Sequence, residues 1–217
     1  MIKIENVEVV GWESAIRGMR NPMNSWDKSD SIIDEIGLYE IGNNDLDLMN
    51  KLVKAGTDHR KFMRMIVVYA DVTAPLYWWK EADTYKVGTV RNSCSTMHKI
   101  TEKEFTLDDF SHEHLVSDGI DCLIDTINNL NDAREIYLNY ENIKDEITED
   151  IKSKKEVWWQ IIQLLPSSYN QRATLMLNYE VLANIYHSRK AHKLDEWRDF
   201  CKWIESLPYS ELITGEC

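Results

Sequence analysis

Cysteine is scarce in this chain and never closely spaced. Cys94, Cys122, Cys201 and Cys217 contain no C-x-x-C pair. Four cysteines would suffice for disulfides in a secreted protein, but the amino terminus, MIKIENVEVVGWES, lacks the apolar run of a signal peptide. The expectation is a reduced, cytoplasmic protein. No apolar stretch approaches the length that crosses a bilayer, so no membrane partner is expected. No glycine-rich phosphate loop and no hydrolase nucleophile elbow occur. Internal repeats and low-complexity linkers are missing as well. The last shortage is positive charge: 25 Lys and Arg stand against 37 Asp and Glu, a formal net charge of -12. Repulsion of that size opposes loose binding to nucleic acid or anionic membrane. Any site for a phosphorylated ligand must therefore be a local concentration of Arg, Lys and backbone N–H groups.

What is present favours a folded globule. Hydrophobic residues make up 43% of the 217 positions and tryptophan occurs eight times. That length suits one domain spanning residues 1–217 with a real core. Ile2 to Val10 alternates well enough for a strand. Trp12 to Arg20 reads as a short helix stopped at Asn21-Pro22. Asp45 to Ala55 carries Leu46, Leu48, Leu52 and Val53 at helical spacing and ends at Gly56, a suitable cap. Met65 to Thr73 is β-branched and closed by Pro75, the strongest strand in the chain. Pro75 suits the first turn of a helix over Leu76 to Glu81, and Asp83 to Lys99 reads as a loop.

Residues 102–150 differ in composition, with fifteen acids against three bases. Ile120, Leu123, Ile124, Ile127, Leu130 and Ile136 fall at helical spacing, which predicts helix with a solvated acidic face. The final third reads as helical: Glu156 to Leu164, Asn170 to Arg189, and Leu194 to Ser206 before Pro208. A sheet followed by a helical half gives an α+β class with helices gathered on one side.

Two segments carry a family resemblance. One is Leu165 to Arg198, LPSSYNQRATLMLNYEVLANIYHSRKAHKLDEWR; the other is Ala74 to Lys99, APLYWWKEADTYKVGTVRNSCSTMHK. Together they resemble flavin-dependent thymidylate synthases. That family carries a Leu-Pro, an N-x-R-x-L-x-N helix with a later arginine, and an upstream R-H-R-x-x-S-x-N-x-x-S-x-R signature. The resemblance implies the family's architecture, a central antiparallel-type sheet flanked by helices, and assembly as a homotetramer. It implies an enzyme that binds FAD, takes reducing equivalents from NADPH and moves a methylene from methylenetetrahydrofolate to dUMP.

The same resemblance assigns roles residue by residue. Ser95 and Arg189 would orient the nucleotide as catalytic and substrate-binding groups, with Lys86 or Arg91 assisting. His59, Tyr85, Asn92, Asn178 and Asn184 would hold the flavin, and no metal is implied. Departures are specific. Anchored on Asn92 and Ser95, the R-H-R triplet falls on Tyr85, Lys86 and Val87; anchored on Pro75, it falls on Thr84, Tyr85 and Lys86. The signature's last arginine aligns with Met97 and its first serine with Val90. Glu180 stands where the late helix has its arginine, and Ile162 replaces the arginine before Leu-Pro. The family's H-x-P-F-E-H segment keeps Phe62, but Met63-Arg64 replaces Glu-His, leaving His59 as a stand-in. Arginine grips phosphate through a bidentate fork that Tyr, Val and Met cannot imitate.

Other candidates carry less. His112 and His114 lie near Asp108, Asp109 and Glu113 without a recognised metal spacing. Trp78-Trp79 and Trp158-Trp159 are expected as core and subunit-contact residues. Cys94 is a possible nucleophile with no histidine base identifiable from sequence. A second reading stays open beside the enzyme: a relative that keeps the scaffold and binds another ligand or a protein.

Overall fold

A computed structural model describes residues 2–33, 39–145, 151 and 153–215. The elements follow in chain order. β1 is Lys3–Val10, α1 Trp12–Arg20, β2 Ile32–Ile33, β3 Tyr39–Glu40 and α2 Asn43–Lys54. β4 is Val67–Pro75, α3 Leu76–Ala82, β5 Val90–Ser93, α4 Thr96–Lys99, α5 Ser117–Ile143 and α6 Lys154–Leu164. β6 (Asn170–Asn178), α7 (Tyr179–Arg189), α8 (Asp195–Glu205) and α9 (Glu211–Thr214) complete the chain. Four strands form one sheet in the order β1-β4-β6-β5, and β2 pairs antiparallel with β3. The α+β class expected from the sequence is the class that forms. Two compact units are resolved, a larger one of Ile2–Val72, Ala82–Asn92 and Ala173–Cys217 and a smaller one of Thr73–Glu81 and Ser93–Arg172.

In the larger unit, α1 begins at Gly11, whose φ of +95° is the left-handed region. A Cβ there would lie 2.1 Å from the Met65 carbonyl oxygen, so only glycine fits. α1 buries Ala15, Ile16 and Met19 and ends at Arg20, itself only 4% exposed. Arg20 Nε donates to Asp45 Oδ1 at 2.6 Å, and Asp45 is fully buried. Its other oxygen accepts from the hydroxyls of Ser29 and Ser31, both at 2.7 Å, and from the N–H groups of Asp30 and Ser31. Arg20 also donates to the carbonyls of Ser25 and Lys28. One buried pair thus fastens α1, α2 and the Ser25–Ser31 turn. Burial alone would raise the Asp45 carboxyl; hydrogen bonds from Ser31, Ser29 and Arg20, with the Arg20 charge, bring it below the ordinary range.

The smaller unit is built on the 27-residue α5, packed along α6. Leu123, Ile127 and Leu130 face a core with Ile100, Phe105, Phe110 and Ile161. Phe105, Phe110 and Tyr169 meet edge to face or tilted within that core. Asn131 clasps the preceding loop, accepting from the Phe105 N–H and donating to its carbonyl. Ser153 and Glu156 form a capping box that starts α6 at Lys154. Trp78 and Trp79 are buried at 1% and 2% exposure, as core residues.

Several expectations need correction. Asn170 to Arg189 is not one helix: its first nine residues are β6. The reason is a period of two, with Gln171, Ala173, Leu175 and Leu177 buried while Arg172 and Thr174 are exposed. Asp83 to Lys99 is not all loop, since it holds β5 and the single-turn α4. Met65 and Ile66 precede β4, which runs on to Pro75, so that proline ends a strand and the helix starts after it. Within the acidic segment, residues 102–116 form turns and one 3-10 turn, and helix occupies only 117–143. Ile124 turns outward at 40% exposure. Residues 146–150 lie outside the described residues.

Breaking one partner of a buried ion pair strands the other, typically at about 3–5 kcal/mol. Arg20→Met and Asp45→Asn are each expected to lose about that much in urea unfolding. Because the folded Asp45 carboxyl is lowered, its stabilisation is complete above the ordinary aspartate range and fades as pH falls through the lower folded value. A wild-type minus Asp45→Asn difference that stays flat across acidic pH would contradict this account.

Candidate functional site

β6 delivers the chain to α7 through Asn178. Its backbone is extended (φ −119°) and its Oδ1 accepts from the Val181 N–H at 3.0 Å, so it is the N-cap of the helix. Asn178 therefore precedes the helix and shares no helical face with Leu182, Ile185 and Arg189. Leu182 and Ile185 are buried and Arg189 is half-buried. Against Asn178 lies Gly88, at φ +77°, where a Cβ would stand 2.7 Å from Asn178 Nδ2. Thr89, next in the chain, has a buried Oγ1 with no hydrogen-bond partner among the described residues.

Three arginines of this unit are engaged internally. Arg60 Nη2 donates to Glu180 Oε1 at 3.0 Å, and Nε faces Oε2 at 3.0 Å without hydrogen-bond alignment. Their side chains are 15% and 9% exposed. Glu180, which reverses the charge expected in the late helix, is thus matched by Arg60. Arg189 Nε donates to the Tyr85 hydroxyl at 2.9 Å, and its guanidinium lies over the buried Trp197 indole, 4.9 Å from the ring centre. Arg91 Nη1 donates to both oxygens of Asp83 at 2.8 Å. Trp197 and Arg60 were missed in the sequence, since a tryptophan eight residues beyond Arg189 or an arginine 120 before Glu180 gives no local signal.

His59, Lys86, Asn92 and Asn184 are exposed. Tyr85 is joined to Arg189, so two residues expected on different ligands, flavin and nucleotide, touch each other instead. For a flavin the donor set fits: Asn178, Asn184, His59 and Tyr85 are hydrogen-bonding groups with no carboxylate among them, and the Thr89 hydroxyl is left for a polar partner. For a phosphate, the larger unit offers Lys86 and the engaged Arg91 and Arg189.

Ser95 belongs to the smaller unit. It is the N-cap of α4, its hydroxyl accepting from the His98 N–H at 3.2 Å. It lines a cavity of about 230 Å³ with Cys94, Thr96, Lys99, Tyr169 and Arg172 among its walls. Cys94 is exposed and is a free thiol, as is the exposed Cys122. Burial, then Asp109 and Cys94, push the Tyr169 phenol above its ordinary value, keeping it a neutral donor. His112 Nδ1 lies 2.8 Å from the Phe110 carbonyl, and no group of three metal-type side chains gathers among the described residues. Among them, no helix is long and apolar enough to cross a membrane.

No family model matches this sequence, and no curated protein does. Solved structures do. Thymidylate synthase X (ThyX) from Helicobacter pylori with FAD and dUMP superposes with a TM-score of 0.67 at 15% identity, covering 98% of this chain and 96% of that one. A second ThyX structure from the same organism, also complexed with FAD and dUMP, gives 0.65 at 16% identity, covering 98% and 99%. The fold is that of ThyX. It spans nearly the full length of both chains, so the antiparallel sheet and its helices are shared rather than one motif.

The Arg60–Glu180 pair joins the turn before β4 to the first turn of α7, and its coupling is measurable. A double-mutant cycle with Arg60→Ala and Glu180→Ala is expected to return roughly 1–3 kcal/mol of interaction energy in urea unfolding. The charge-swapped Arg60→Glu, Glu180→Arg protein should recover part of the loss. Strictly additive single losses would show that the pair does not hold α7.

Proposed function

We propose that the chain is a divergent flavin-dependent thymidylate synthase-type protein that binds FAD and dUMP and transfers a methylene from methylenetetrahydrofolate with reducing equivalents from NADPH. The observation that carries this reading is a ThyX fold along 98% of the chain, shared with proteins whose structures hold FAD and dUMP. A bound flavin would supply the hydride chemistry, and the side chains would position the ligands and exclude water rather than form a covalent bond. Asn178, Asn184, His59 and Tyr85 are the groups suited to the flavin. Ser95 and Arg189 are suited to the nucleotide, with Lys86 or Arg91 assisting. By the same reading the protein assembles as a homotetramer.

A second reading is favoured by the ion pairs. Arg91 is held on both oxygens of Asp83, and Glu180 occupies an arginine position. Both fit a relative that keeps the scaffold and takes a different ligand or a protein partner.

Absorption and melting separate the two. Under the first reading purified protein is yellow and releases FAD on denaturation. Saturating dUMP, a hundredfold above its Kd, adds about 2.7 kcal/mol, or roughly 5–10 °C in Tm. Arg189→Lys keeps a charge but loses the planar fork, and should weaken that shift. A colourless protein that takes up no FAD and is not stabilised by dUMP supports the second reading instead.

A further inference from the structure

We propose that the cavity between α1 and the connection that follows it is a seat for a free α-amino acid with an aromatic side chain. The site lies within the larger unit. It shares no residue with the flavin and nucleotide groups named above, so it does not rest on the proposed function.

One wall is a helix face. Glu13, Ile16, Arg17 and Arg20 recur at i, i+3, i+4 and i+7 along α1. Trp26 and Tyr39 line the same cavity from the connection, and its volume is about 280 Å³. That falls just under the usual range of about 300–1,000 Å³ for drug-sized ligands and suits a smaller guest. The base is rigid, because Arg20 is locked to the fully buried Asp45.

The first observation that points to a ligand is a donor left over. Arg20 is only 4% exposed and carries five N–H groups. It makes four hydrogen bonds, to Asp45, to the Ser25 carbonyl and hydroxyl, and to the Lys28 carbonyl. At least one N–H therefore has no acceptor among the described residues, on a guanidinium that lines the cavity. A buried donor of that kind calls for an oxygen. Arg17, three positions earlier on the same face, brings a second guanidinium, and a carboxylate matches the two together.

The second observation is the charge pattern. The Glu13 carboxylate stands 3.6 Å from Arg17 in an exposed pair, weak enough to open around a guest. Glu13 offsets Arg17, and Asp45 offsets Arg20, so a bare anion gains little net attraction. A zwitterion meets both signs, its ammonium on Glu13 and its carboxylate on Arg17 and Arg20. The two charged groups of an α-amino acid are joined through a single carbon, a spacing as short as that between Glu13 and Arg17.

The third is an apolar wall. Trp26 is half exposed, and its indole N–H already donates to Asn21 Oδ1 at 2.9 Å. The surface it has left is carbon, and Ile16 adds more, which suits an aromatic side chain. Burial, then Asp45 and Glu13, push the Tyr39 phenol above its ordinary value, so it remains a neutral donor. The Ser29 and Ser31 hydroxyls are committed to Asp45.

Isothermal titration calorimetry of the full chain tests the seat with L-phenylalanine, 3-phenylpropionate, phenethylamine and guanosine. 3-Phenylpropionate lacks the ammonium, and phenethylamine lacks the carboxylate. The expected result is binding of L-phenylalanine, with each truncated analogue about ten- to a hundredfold weaker for the loss of charge-assisted contacts. Glu13→Gln weakens L-phenylalanine by a similar factor and does not weaken 3-phenylpropionate. Arg17→Ala weakens L-phenylalanine and does not weaken phenethylamine. Both side chains are exposed, so these variants keep the fold. Trp26→Ala weakens all three, Trp26→Phe keeps most binding, and Lys202→Ala, paired with Asp199 on α8, changes nothing. No binding of L-phenylalanine, equal affinity for the truncated analogues, or ratios unmoved by Glu13→Gln and Arg17→Ala overturns the seat. So does guanosine bound through Trp26 where L-phenylalanine does not bind. If the protein takes up FAD and dUMP but not L-phenylalanine, the seat falls and the proposed function stands. If it takes up neither, yet binds L-phenylalanine through Glu13 and Arg17, the seat stands and the proposed function falls.

Discussion

Arginine in the larger unit is held by the chain's own side chains. Asp45 takes Arg20, Glu180 takes Arg60, Asp83 takes Arg91, and Tyr85 with Trp197 takes Arg189. Much of this unit's order follows from those four attachments. Arg20 fastens the turn before β2 to two helices, and Arg60 fixes the entry of α7. Arg91 sets the end of the loop that contains Gly88, and Arg189 ties that loop to α8 through aromatic faces. An anionic chain gains more from such pairing than a neutral one, because each arginine relieves repulsion among a surplus of carboxylates. The same pairing removes cations from any ligand that needs them.

The fold was legible where local pattern and tertiary environment agreed. Trp12–Arg20 formed as expected because Ala15, Ile16 and Met19 recur on one face, and Gly56 closed α2 with its positive φ. β6 was misread because only Ala173, Leu175 and Leu177 alternate as small or medium apolar groups, after the polar Gln171 and beside the strongly helical stretch after Tyr179. A period-two segment and a period-3.6 segment abut at Asn178, and the cap residue belongs to neither. The single-turn α4 depends on one hydroxyl, Ser95, bonding three residues ahead, a signal too short to stand out.

The candidate site was less legible than the fold, and for a physical reason. Motif spacing names residue types but not their partners. Arg189 occupies its expected place, yet Tyr85 and Trp197 decide how its guanidinium is oriented. Glu180 read as a charge opposed to an anionic ligand, and Arg60, distant in sequence, neutralises it. A scaffold is shared with ThyX at only 15–16% identity, so the sheet and helices persist although most residue identities differ.

Where this protein accepts negative charge is the central question, and a crystal structure of the full chain with dUMP answers it most directly. The account predicts dUMP held by Arg189, with Arg60 still on Glu180 and Arg20 still on Asp45. Phosphate bound instead by Arg60 released from Glu180, with no nucleotide on Arg189, would contradict it.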